Sequence, residues 1–267
     1  MITQIKKRLC RLTGAVIAPL LSILLAGCVT TEYNVGTHTQ DTFFYSSESE
    51  TAMGRNIHRT ILKEFTLSDN PYDLQRLDNI AKKIAAVVDR KELGYNFYII
   101  EKDDKGKQEV NAFSLPGGYV YIFKELFDML NDDELAFVLA HEVGHIVSRH
   151  HIKRLQAAMG YNLVLIASAA APSEPGFTDG VAFALVQLLV AYSREDELNA
   201  DELAAKYCQA AGFNPSAGIS LLEKLYAEGK KKIEPLSYFR THPYHASRIR
   251  HIKETLRLPL GVDDYIN

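Results

Sequence analysis

The 267-residue sequence is poor in cysteine, in basic stretches and in long apolar runs. Beyond residue 28 the only cysteine is Cys208, so no internal disulfide is possible there, and its helical surroundings predict an inert core residue. A net charge of −3 without a basic stripe argues against a nucleic-acid partner. The apolar runs 161–171 and 181–192 are too short to span a bilayer. No segment repeats internally.

Residues 1–27 are predicted to be a lipoprotein signal peptide. Basic residues open the segment and an apolar stretch follows, which is the order of a secretory signal. Residues 25–28 have the sequence LAGC, which resembles a bacterial lipobox and implies cleavage before Cys28 and acylation of that cysteine. Two or more acyl chains anchor a protein stably. No aspartate follows Cys28, which by Gram-negative sorting rules implies the outer membrane, facing the periplasm. The alternatives are an ordinary signal peptide or an uncleaved anchor.

The remaining chain is predicted to be a tether over 28–50, rich in Thr, Ser and acid, followed by one domain over 51–267. Helical periodicity dominates this domain. Between the helices, residues 95–123 alternate with a period of two and contain turn residues, which predicts a small antiparallel sheet of about three strands. The fold class is therefore α+β and mostly helical. The two apolar runs are interpreted as buried helices, or alternatively as a lip over a cleft.

A helix beginning near Asn131 or Asp132 carries the motif HEVGH at 141–145. His141 and His145 are four residues apart and share one helix face, so both can bind one cation. Glu142 lies about 100° around the helix, beside the open coordination position. A catalytic zinc takes three protein ligands and a water, and imidazole suits it. The alternative is a solvated helix with scattered histidines.

The third ligand must come from the downstream run REDELNADEL, where Glu195, Glu197 and Glu202 compete. Glu197 alone has an acid four residues later, Asp201, on the same helix face. Zinc sites pair a ligand with a neighbouring carboxylate that holds a ligand histidine. We therefore predict Glu197 as ligand and Asp201 as the hydrogen-bond partner of a ligand histidine.

These motifs together, with VNAFSLPGGYVYI upstream and RTHP downstream, resemble the M48 family of zinc metallopeptidases over residues 50–257. The likeness is to its soluble bacterial lipoprotein or periplasmic members, and it implies a gluzincin-type fold with the sheet beside the HExxH helix. It also implies that His141, His145 and Glu197 bind one Zn²⁺ per chain and that Glu142 is the general base.

The resemblance assigns roles to two further segments. Asn111, Ala112 and Phe113 correspond to the edge strand that faces the substrate. His242, which precedes Pro243 in a stiffened loop, corresponds to a histidine near the zinc. There it is either a donor to the developing oxyanion or a fourth ligand in the resting state, and the simpler alternative is an ordinary loop histidine.

The expected function is that of a membrane-anchored zinc endopeptidase acting on unfolded or misassembled envelope proteins. The quality-control role comes from the resemblance alone. A different class of function remains open: a periplasmic chaperone or assembly factor that binds extended segments and has low or latched protease activity.

Overall fold

The computed structural model describes residues 30–103, 109–168, 191–231, 236–243 and 246–265. The signal segment, Cys28 and most of the second apolar run fall outside the described residues, so the structure does not bear on those predictions. Among the helices of the described ranges, none combines the length and the apolar character that a bilayer crossing needs.

Helices make up most of the described chain, as the α+β prediction requires. Those named α1 to α9 are Ser47–Glu64, Pro71–Val87, Lys124–Met129, Asp132–Val147, His150–Ser168, Arg194–Ala211, Ala217–Lys230, Tyr238–Thr241 and Ala246–Thr255. The strands β1 to β6 are Thr30–Asn34, Thr39–Phe43, Phe65–Leu67, Asn96–Asp103, Ala112–Leu115 and Tyr119–Phe123.

The main sheet has four strands in the order β3-β4-β6-β5, with β5 at one edge. The pairs β3–β4 and β5–β6 are antiparallel, but β4 and β6 run parallel. The prediction of about three antiparallel strands was therefore wrong in this detail. The sequence between β4 and β6 was interpreted as two successive reversals, yet β5 pairs at the outer edge of β6 and leaves β4 and β6 adjacent. The short β3 was missed because three residues carry too little periodicity.

The prediction of a tether over residues 28–50 was wrong from Thr30 onward. Strands β1 and β2 form an antiparallel hairpin that packs on the domain. The Asn34 side chain is buried and donates to the Ser148 carbonyl at 2.9 Å. The buried Phe43 ring lies 3.8 Å beneath the Arg149 guanidinium. Polar composition suggested a solvated segment, but its few buried side chains find partners at the end of α4.

The centre of the domain is the packing of α4 against α6. Both helices begin at reciprocal capping boxes, in which Asn131 and Ser193 exchange hydrogen bonds with the third helical residue. Nearly all of α4 is buried, with β5 and α6 both packed against it. Gly144 permits the close approach of α6, because a Cβ there would lie 3.1 Å from both Cα and O of Ala200. This contact brings the two motif helices face to face.

Candidate metal centre

Helix α4 presents its two motif histidines from one buried face. The Nε2 atoms of His141 and His145 lie 3.1 Å apart, and both rings are almost wholly buried. Glu142 is fully buried beside them. The prediction that the two imidazoles share a helix face therefore agrees with the structure, and the alternative of scattered, solvated histidines does not.

Among the three competing acids of α6, only Glu197 reaches these histidines. Its carboxylate oxygens lie 3.3 Å from Nε2 of His145 and 3.6 Å from Nε2 of His141. Glu195 and Glu202 are exposed at the helix surface. Possible ligand atoms of His141, His145, Glu197 and His242 all lie within 4.8 Å of one another, close enough to hold one metal ion.

A buried carboxylate and an arginine support this cluster. Asp201, predicted as the hydrogen-bond partner of a ligand histidine, lies 2.9 Å from Nδ1 of His141. Arg248 donates two hydrogen bonds of 2.7 Å to Asp201 and lies 2.6 Å from Glu197. Burial alone would raise the pKa of Glu197, but the positive Arg248 and then His242 hold it well below its usual value. Glu197 is therefore ionised, as a metal ligand must be.

His145 has its own partner, which the sequence analysis missed. Its Nδ1 lies 2.8 Å from Nδ1 of His150, whose Nε2 lies 3.3 Å from the Asp196 carboxylate. Arg149 makes this contact possible. Its backbone is left-handed (φ 55°), so the chain turns sharply between the end of α4 and the start of α5 and brings His150 next to His145. Burial lowers the pKa of His150 to about 4, so this imidazole is neutral at pH 7.

The outer nitrogen of each motif histidine faces a polar partner, and the Nε2 atoms of both rings face Glu197. Nδ1 of His141 lies 2.9 Å from the Asp201 carboxylate, and Nδ1 of His145 lies 2.8 Å from Nδ1 of His150. Burial lowers the pKa of His145 well below its usual value, so this ring is neutral. The two Nε2 atoms, 3.1 Å apart beside the Glu197 carboxylate, are the nitrogens that a bound cation would contact. The residues present therefore fit zinc, which prefers imidazole nitrogen and carboxylate oxygen.

The carboxylate of Glu142 has a different partner on each oxygen. The hydroxyl of Ser114, on β5, donates to Oε2 at 2.8 Å. Nε2 of His242 lies 3.2 Å from Oε1. Nothing in the sequence pattern singled out Ser114, because only the backbone of its strand was expected to matter.

His242 lies inside the cluster and is fully buried, so it is not an ordinary loop histidine. Its Nδ1 lies 3.1 Å from Glu197 and 3.4 Å from Nε2 of His141. Burial would lower its pKa, but the carboxylates of Glu142 and Glu197 raise it.

Tyr192 was missed by the sequence analysis. Its ring stacks on His145 at 3.6 Å, and its N–H donates to the Thr241 carbonyl, joining the His242 loop to the centre.

The edge strand β5 lies beside α4, as expected of the segment containing Asn111, Ala112 and Phe113. The Phe113 side chain points away from the cluster and stacks on Tyr121 at 4.9 Å. The Asn111 side chain accepts from the N–H of Ala112. The side chains of Phe113 and Asn111 are therefore both engaged by partners outside the cluster.

Two histidines one helical turn apart, a carboxylate from a second helix and a further carboxylate beside them define a zinc metallopeptidase. Comparison with known proteins agrees. The family described as Peptidase family M48 matches residues 71–256. The chain belongs to this family of zinc metallopeptidases.

Individual relatives share between 25% and 29% sequence identity with the chain. The chain is 25% identical over 262 residues to the "Beta-barrel assembly-enhancing protease" of Escherichia coli, covering 93% of this chain and 52% of that protein. It is 29% identical to the "Mitochondrial metalloendopeptidase OMA1" of Schizosaccharomyces pombe, covering 79% of this chain and 62% of that protein. It is also 29% identical to the "Metalloprotease LoiP" of Escherichia coli, covering 68% of this chain and 70% of that protein. The chain thus spans about half the length of the first relative.

Proposed function

We propose that the chain is a membrane-anchored zinc endopeptidase that cleaves unfolded or misassembled envelope proteins, with Glu142 as general base. The observation that carries the proposal is the placement of a fully buried Glu142 beside four possible metal-ligand atoms. His141, His145 and Glu197 would hold the zinc. When bound, zinc lowers the pKa of its water towards 7 and polarises the scissile carbonyl.

The residues of the chain supply the proton transfers. Oε1 of Glu142 lies 3.2 Å from His242 of the cluster. It would take a proton from the attacking water and pass it to the leaving amine nitrogen. Asp201 would orient His141, and the positive Arg248 keeps Glu197 ionised. No side chain of the chain is required as a covalent nucleophile.

The substrate would lie extended along the free edge of β5. The N–H of Phe123 donates to the Asn111 carbonyl, so in the alternating antiparallel pattern Ala112 and Ser114 direct their backbone groups away from β6. The Ala112 carbonyl and the Ser114 N–H can pair with an added strand. The Ala112 N–H already donates to the Asn111 side chain, and the Ser114 carbonyl already lies 2.9 Å from Nε2 of His151. Backbone pairing reads little sequence, which favours unfolded segments over a defined cleavage motif. The similarity to the "Beta-barrel assembly-enhancing protease" supports an envelope substrate.

The experiment that tests the substrate class compares one outer-membrane β-barrel protein in two states. We expect the zinc-loaded chain to cut the urea-unfolded protein, diluted into the assay, at several positions and to spare the detergent-folded protein. A folded β-barrel offers no free extended segment for edge pairing. Equal cleavage of both states would contradict the proposal.

Attachment to the outer membrane, facing the periplasm, would depend on acylated Cys28. Replacing it (Cys28→Ser) is expected to move the protein from the membrane fraction to the soluble fraction, or to leave it unprocessed, since the acyl chains would be lost. Fractionation after a high-salt wash is the measurement, and Cys208→Ser is the matched control. A Cys28→Ser protein that still fractionates with the outer membrane would rule out the lipid as the main attachment.

A chaperone or assembly factor with latched protease activity is the second candidate. The contacts of His242 favour this second function, because the ring contacts both Glu142, the proposed general base, and Glu197, a proposed zinc ligand. If the chain works in this way, wild-type turnover of unfolded protein is low while binding is tight.

Replacing His242 with alanine tests whether its contact with Glu142 restrains protease activity. We expect zinc to be retained and turnover to rise, because Oε1 of Glu142 loses the contact that blocks it. A fall of about 10²–10³ in rate would instead identify His242 as a donor to the oxyanion. Turnover within twofold of wild type would contradict both roles.

A further inference from the structure

Ser114 joins the edge strand to the general base. Ser114 is only 2% exposed to solvent. Its hydroxyl donates to Oε2 of the fully buried Glu142 at 2.8 Å. A hydrogen bond to a buried carboxylate is among the stronger ones that a protein makes. The contact is made by Oε2, whereas the contact of Glu142 with His242 of the cluster is made by the other oxygen, Oε1.

The serine is itself held on two sides. Its backbone is fixed by the register of β5 on β6, where it lies opposite Val120. Nε2 of His151 lies 2.9 Å from the Ser114 carbonyl oxygen and 3.2 Å from Oγ, and the Tyr192 hydroxyl lies 2.9 Å from the same nitrogen. Burial lowers the pKa of His151 well below its usual value, so this ring is neutral. The shorter of the two hydroxyl contacts, at 2.8 Å, is the one in which Ser114 donates to Oε2 of Glu142.

The two carboxylate oxygens of Glu142 are divided between two tasks. Oε1 is turned to the cluster, where His242 contacts it at 3.2 Å in the resting chain. Oε2 is tied to the sheet. When His242 moves away, a carboxylate without the second contact would be free to rotate about its terminal bonds, which have broad torsional preferences.

We propose that Ser114 is a positioning residue for the general base. Resting on the peptidase function proposed above, it holds Oε2 so that Oε1 stays aimed at the attacking water. The proton passes from water to Oε1 and then to the leaving amine nitrogen, while Ser114 keeps its own proton throughout. Because Ser114 lies on the edge that would receive the substrate, the same strand fixes both the scissile bond and the base.

The test uses the full zinc-loaded chain with an unfolded casein as substrate. Ser114→Ala is expected to lower kcat by about 10–100-fold, as losses of supporting contacts do, while KM, zinc affinity and Tm stay near wild type. Ser114→Thr keeps the hydroxyl and should recover most of kcat. Ser68→Ala removes another buried serine hydroxyl, next to β3 at the opposite edge of the main sheet from β5, and serves as the control.

A kcat of Ser114→Ala within twofold of wild type would overturn the proposal, and so would a loss shared by zinc affinity or Tm. If wild type itself shows no turnover that depends on Glu142, the peptidase function fails separately. The crystal structure of the zinc-loaded chain then decides the positioning role. Ser114 Oγ within 3.2 Å of Glu142, with the carboxylate rotated in Ser114→Ala, supports it; an Oγ beyond 3.5 Å overturns it.

Discussion

Replacing Glu142 with glutamine is expected to lower the turnover of an unfolded protein by several orders of magnitude while the chain keeps its zinc. The substitution preserves the shape of the side chain and can still accept the Ser114 hydrogen bond. It removes the basic oxygen that takes the proton from water. His141, His145 and Glu197 are unchanged, so the donor set for zinc remains.

The measurement pairs initial cleavage rates with metal content by elemental analysis on the same preparations. Matched zinc content in both proteins excludes an indirect loss of activity through the metal. Turnover by Glu142→Gln equal to that of wild type would exclude Glu142 as the base. A parallel loss of zinc would instead show that the carboxylate supports the metal.

The second large effect is expected for Glu197→Ala, which should lose zinc. Its buried carboxylate supplies the only acidic atom among the four possible ligands, and removing it leaves imidazoles alone. We expect zinc affinity to fall by more than the ~10–100-fold that losing a supporting residue costs. Competition with a chelator measures the affinity.

Glu195→Ala is the matched control, because it removes a glutamate from the same turn of the same helix at an exposed position. It should bind zinc like wild type. If Glu195→Ala loses zinc and Glu197→Ala keeps it, the ligand assignment is wrong, and both losing it equally would indicate a general effect on α6.

The sequence predicted those parts of the centre that depend on helical spacing. Four-residue intervals place His141 with His145 and Glu197 with Asp201 on common faces, because an α-helix repeats every 3.6 residues. Family resemblance added His242, which no local pattern reveals. The structure brings these residues together, and their roles in binding and catalysis remain predictions.

The residues that the sequence did not predict act through contacts between elements. His150 reaches His145 only because the left-handed Arg149 turns the chain between two helices. Ser114 reaches Glu142 from a strand 28 positions away. The parallel pairing of β4 with β6 likewise depends on where β5 docks. Such contacts are fixed by tertiary packing, which periodicity does not report.

The most direct test of a zinc-dependent peptidase is to strip the metal from wild type and add zinc back during cleavage of an unfolded β-barrel protein. We expect no turnover in the stripped chain and a linear rise that saturates at one zinc per chain. Full turnover without zinc, or recovery of zinc binding with no cleavage at any ratio, would contradict it.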